Sequence, residues 1–151
     1  MIITIHPENF ITDNVYFNEQ HKNMTESNFI RIIYASNIFT LNGIYLYIQI
    51  HNIKQEQIFN KYKYTFSIKE NNNLISFIKE LEHSIIKQIS THPYHLNKDP
   101  NYKLSEQFKN GELKIYKNND EIINNIFILK ISGIWSTSEY YGITYKLFNH
   151  P

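Results

Sequence analysis

The feature that most constrains this chain is a strict two-residue rhythm. In Ile44–His51, "IYLYIQIH", Ile44, Leu46, Ile48 and Ile50 fall on one side and Tyr45, Tyr47, Gln49 and His51 on the other. Only an extended strand sorts alternate residues to opposite faces, so this run is a half-buried β-strand. Similar runs recur. Asn28–Ser36 is β-branched and aromatic. Lys61–Ile68 alternates Tyr62, Tyr64, Phe66 and Ile68 with Lys61, Lys63, Thr65 and Ser67. Gly111–Tyr116 reads as a short strand, and Asn125–Trp135 and Tyr140–Phe148 as the last two, joined by a short turn. Met1–Ile5 alternates weakly, as an edge strand would.

The rhythm changes once. From Leu74 to Ser90 the apolar residues Leu74, Ile75, Ile78, Leu81, Ile85 and Ile89 recur at helical spacing, with charged residues between them. Asn72 or Asn73 is placed to cap this helix and Pro93 lies beyond its end. Asn42–Gly43, a dipeptide suited to positive φ, predicts a hairpin joining Ile38–Leu41 to Ile44–His51. His6–Ser27, Asn52–Asn60 and His92–Lys109 read as irregular connections.

The order is several strands, one helix, then three more strands. That gives a mainly β, α+β domain spanning residues 1–151, with no internal boundary or repeat. The 151 residues are 42% hydrophobic and 19% charged, enough for one globular core. Short antiparallel strands with one inserted helix suggest an OB-like barrel, closed or partly open. A sandwich or a helix-on-sheet layer would leave the same pattern.

Composition removes several functions. Net charge is +1, so no overall field draws the chain to polyanions, and nucleic-acid binding would need a local basic surface with stacking rings. There is no cysteine, hence no disulfide frame and no thiolate chemistry. Four glycines match no phosphate-cradling motif. The carboxylates are scattered, and Glu80 and Glu82 point in different directions on the helix. His92 and His95 are the best-spaced histidine pair, but nothing completes a metal set. The expectation is a non-enzymatic protein without metal or cofactor. Met1–Phe10 has no signal-type apolar run and no segment is long enough to span a bilayer, so an intracellular, soluble protein with no membrane partner is expected. The N-x-T match at Asn23–Thr25 carries no weight without a secretory signal.

The special residues crowd the last strands. "KISGIWSTSEYYGITYKLF", Lys130–Phe148, holds two of the four glycines, the single tryptophan and three tyrosines. Gly133 interrupts a strand, as a bulge or a close approach of backbones would. Tyr141, Ile143, Tyr145 and Leu147 share one face of the final strand, and Gly142, Thr144, Lys146 and Phe148 the other. The hairpin either closes the sheet or offers a stacking platform. Tyr45, Tyr47 and His51 form a second platform, unless they pack under the helix.

The segment resembles the C-terminal signature of the small OB-fold single-stranded DNA-binding proteins of large DNA viruses and some phages. There an apolar strand is followed by Lys-x-Ser-Gly-Ile-Trp, a short variable turn and Tyr-Gly-Ile/Leu-Thr-Tyr-Lys. The matching positions are Lys130, Ser132, Gly133, Ile134, Trp135 and the run Tyr141 to Lys146. The preceding "LISFIKELEHSII" helix and "GELKIYK" strand resemble that layout too. The resemblance implies an OB fold and binding of single-stranded DNA without strong sequence preference. It further implies a role in replication or recombination of a viral genome, in the host cytoplasm or nucleus. Bases would stack on Tyr45, Tyr47, Trp135, Tyr141 and Tyr145, while Lys61, Lys63, Lys130 and Lys146 neutralise phosphates. RNA in place of DNA, replication proteins and a second copy of the chain are further candidate partners. The alternative is a viral structural or adaptor protein whose Tyr-rich surface is a protein–protein interface.

Overall fold

A computed structural model describes residues 3–18, 28–59, 61–91, 97–115 and 124–150. Its spine is β9 (Ile126–Ser136), whose residues are mostly buried. β10 (Tyr140–Asn149) runs antiparallel along all of it, from Tyr141 opposite Ser136 to Asn149 opposite Phe127. Two strands share the other edge of β9. β4 (Ile44–Gln49) pairs with its first half and β2 (Asn28–Ala35) with its second. β1 (Val15–Asn18) lies outside β2, β3 (Thr40–Leu41) folds back on the end of β2, and β7 (Asp99–Asn101) runs parallel to the start of β10. Together they make a seven-stranded sheet. A second sheet holds β5 (Lys54–Ile58), β6 (Lys61–Thr65) and β8 (Glu112–Leu113).

The chain is therefore mainly β with a helical layer, as its rhythm predicts. A closed, wholly antiparallel barrel is not what the described residues form. No succession of paired strands returns to its start, and the β7–β10 pair is parallel. The reason is local. β7 is three residues long and occupies only Tyr140–Gly142 of the outer edge of β10, while β8 pairs with β6 instead of bridging to that edge.

The expected hairpin at Asn42–Gly43 is also corrected. β3 pairs with β2 and β4 pairs with β9, so this turn hands the chain from one strand partner to another. Gly43 has φ +126°, and a Cβ there would lie 3.0 Å from the carbonyl oxygen of Ile131, so glycine is required twice over. The β2–β3 connection is instead closed by Ser36, whose Oγ accepts from the amides of Ile38 and Phe39 at 3.3 Å.

The alternation sends one side of each strand inward. Ile44, Leu46 and Ile48 meet Phe127, Leu129, Ile131 and Ile134, and all are buried. Helix α1 (Asn72–Ile89) closes this core with Ile78, Leu81, Ile85, Ile86 and Ile89. Its cap differs from expectation. Asn71 holds the N-cap position but makes no bond into the helix. Its buried amide accepts from the His51 backbone amide at 2.9 Å and donates to the carbonyls of His51 (2.9 Å) and Ser67 (2.7 Å), fastening the exit of β4 to the helix start.

A second helix, α2 (Lys103–Asn110), stands where a loop was expected. Leu104 and Phe108 anchor it, and Gly111 ends it with φ +69°. Its first turn is satisfied from outside. The carboxylate of Glu82 on α1 accepts from the amides of Leu104 (3.1 Å) and Ser105 (2.8 Å). These are the amide groups a helix start leaves unpaired. Glu82 is only 1% exposed, and burial raises its pKa against the opposing pull of the Ser105 and Leu104 hydrogen bonds. β1 and β5 likewise replace stretches read as irregular. β5 is exposed along nearly all its length, so it shows no apolar alternation to read.

Candidate nucleic-acid interface

The helices cover one face of the large sheet, and the other face carries the special residues. The pairing register arranges that outer face in cross-strand rows. Phe29, Trp135 and Gly142 form the first; Arg31, Gly133 and Thr144 the second; Tyr45, Lys130 and Lys146 the third; Tyr47, Ile128 and Phe148 the fourth. Aromatic rings thus occupy both ends, with Arg31, Lys130 and Lys146 between them. β1, β2, β4, β9 and β10 contain no aspartate or glutamate. A chain of net charge +1 so gathers three cations and no carboxylate on these five strands.

The glycines explain how the rings lie. A Cβ on Gly142 would sit 2.9 Å from Cζ2 of Trp135, so the indole rests on β10 where a side chain is missing. A Cβ on Gly133 would sit 2.6 Å from Cζ of Phe29 and 2.3 Å from the carbonyl oxygen of Ile30. Each glycine is covered by the aromatic ring of its neighbour strand, which leaves flat rings against the sheet. The register between β9 and β10 steps past Ser132, so Ile131 and Ile134 both face the core and the outer rows stay aligned across the bulge. Bulge and close approach, the two readings of Gly133, both occur here.

Lys130 and Lys146 are directly opposed across the β9–β10 pair. Like charges in register repel, and an anion between them reverses that cost. Lys130 Nζ also lies 5.5 Å from the centre of the Tyr45 ring. The Arg31 guanidinium donates to Oδ1 of Asn42 at 3.3 Å, which orients it. The ring of Tyr47 lies 4.5 Å from that of His6 and 6.0 Å from that of His150. His51 sits in the turn after β4, and the residues packed under the helix are the aliphatic ones, so Tyr45 and Tyr47 belong to the outer face.

Other predicted site residues lie elsewhere. Tyr141 is 3% exposed and points into the core, where burial raises its pKa. Tyr145 also faces inward. Its hydroxyl donates to Oε1 of Gln107, and burial, then the charge of Glu82, pushes its pKa up. Neither ring lies on the outer face, and Tyr145 borders the cavity at the edge of β10. Lys63 belongs to the smaller sheet and pairs with Glu112 at 3.0 Å, a contact that raises its pKa. Lys61 shares that strand, and its side chain lies outside the described residues. What the sheet brings together is Tyr45, Tyr47, Lys130, Trp135 and Lys146, joined by Phe29, Arg31 and Phe148. The sequence signal for Phe29 and Arg31 is the alternation of Ile30, Ile32 and Tyr34, which turns the residues between them outward.

His92, His95 and Asn23 lie outside the described residues. Among those described, no cluster of three histidine, aspartate or glutamate side chains could hold a metal. No described helix is long and apolar enough to cross a membrane. Comparison with protein-family models, curated proteins and solved structures finds no match.

Proposed function

We propose that this protein binds single-stranded DNA, without sequence preference and without catalysis, on the outer face of its seven-stranded sheet. The observation that carries this reading is the row pattern, rings at both ends and Arg31, Lys130 and Lys146 between them on strands free of carboxylates. Bases stack on Trp135, Phe29 and Tyr45, each stack contributing about 1–3 kcal/mol. Phosphates pair with Arg31, Lys130 and Lys146, and their charge offsets the repulsion of the two lysines opposed in register. In this reading the bulged sheet with its helical layer is an OB-type sheet left open at β10, and the protein serves replication or recombination of a viral genome.

The salt dependence tests it. Three phosphates neutralised on this face contribute about −2 to the slope of log K against log salt. The double variant Lys130→Ala/Lys146→Ala should weaken binding of a fluorescent thirty-nucleotide poly-dT and make that slope shallower by about 1.4. Unchanged affinity and slope in a folded double variant would remove the face from consideration.

A further inference from the structure

The outer edge of β10 beyond Gly142 pairs with no described strand, and a groove runs along it. A cavity of about 370 Å³ there is bounded by Trp135 and Lys146 on the sheet side and by Lys103 and Lys114 on the far side, with no carboxylate among the described residues that line it. It adjoins a larger cavity of about 750 Å³ between α2 and β8, and the two share Lys103, Gln107 and Lys114. The larger cavity ends at Phe59, directly after β5. That ring is 94% exposed, and its backbone has φ +54°, a region that bulky residues rarely adopt. An exposed ring on strained backbone at the end of a lysine-lined groove has no role in the core.

We propose that a nucleic-acid strand lying on the aromatic face turns over the edge of β10 and continues through this groove. Phosphates then meet Lys103 and Lys114, and a base stacks on Phe59. The inference rests on the function proposed above and extends its binding path onto the helical side. Charge complementarity and continuity favour a nucleic-acid strand over a peptide. Trp135 and Lys146 line both the face and the groove, and the described lining of the smaller cavity includes Lys103, Lys114 and Lys146. The larger cavity also holds Glu106 and Glu112, the latter engaged by Lys63.

The test uses the full chain and fluorescent thirty-nucleotide poly-dT at several salt concentrations. Lys103, Lys114 and Phe59 are exposed, so replacing them leaves the core intact. Lys103→Ala/Lys114→Ala should lower affinity about tenfold at low salt and make the salt slope shallower by about 1.4. Phe59→Ala should lower affinity at least about fivefold with the slope unchanged. Photocrosslinking with bromodeoxyuridine in the strand should label the segment from Lys103 to Lys114. If the wild type binds but these variants match it and the segment stays unlabelled, the groove is not on the path and the outer face alone binds. If the wild type does not bind at all, both the groove and the proposed function fall.

Discussion

Replacing Gly133 by alanine separates two roles for this glycine by the sign of one measurement. Its φ is not in the left-handed region, so alanine meets no backbone penalty there. If Gly133 were only a flexible residue in a strand, alanine would stabilise the protein by about 0.5–1 kcal/mol. The structure gives the opposite sign. The new methyl group would lie 2.3 Å from the Ile30 carbonyl oxygen and 2.6 Å from Cζ of Phe29, against an ordinary contact of at least 3.4 Å. β2 and β9 must part by about 1 Å, which strains or breaks the ladder bonds around Ile30 and Arg31 at a net cost of about 1 kcal/mol each, and crowding adds about 1–3 kcal/mol. A loss of about 3–5 kcal/mol follows, or a Tm lower by roughly 6–20 °C for a domain of this size. Thermal unfolding followed by far-ultraviolet circular dichroism reads it directly. An unchanged or higher Tm would refute the claim that this glycine exists for the close approach of two strands and the ring laid over it.

Other perturbations follow from the same contacts. Gly142→Ala should lift the indole off β10, costing about 1–2 kcal/mol and shifting tryptophan emission to the red. Glu82→Ala should cost about 2–3 kcal/mol in urea unfolding, because two buried amides at the start of α2 lose their acceptor. Because burial raises the Glu82 pKa, the folded state holds its proton more tightly than the unfolded chain does. Its contribution is fully present below the ordinary glutamate range and falls as pH rises from about 4 through the raised folded value. Glu82→Gln should therefore flatten the fall in stability over that window, as urea titrations from pH 4 to 8 would record. Asn71→Ala should cost about 2 kcal/mol by the same assay, since it unties His51 and Ser67 from the helix start.

The strands that bury one face were legible in the sequence, because alternation is the physical requirement of a half-buried strand. Ile44–Gln49, Ile126–Ser136 and Tyr140–Asn149 sit within a residue or two of expectation. The helix over Asn72–Ile89 was legible for the same reason at another period. β5 was not, because it is exposed and gains its order from β6. α2 was not, because its eight residues follow closely on Pro93 and Pro100, and its N-terminus is satisfied by Glu82 from another helix. Asn42–Gly43 misled because a turn signal fixes a bend but not the strand's partner, and β9 took β4. The candidate site was legible as a set of residue types but not as a surface. Tyr141 and Tyr145 share a face with Ile143 and Leu147, and that face is the core. Phe29 and Arg31 join only when β2 is placed beside β9.

The most direct test of the central claim is titration of the protein with thirty-nucleotide poly-dT at low and moderate salt, recording Trp135 fluorescence together with the anisotropy of the labelled strand. Trp135 is the single tryptophan, so its emission reports the outer face and the groove mouth that it borders. Saturable binding that weakens with salt and quenches the indole is the expected result. No binding at low salt, with salt-insensitive self-association instead, would contradict it and make the aromatic rows a surface for protein partners.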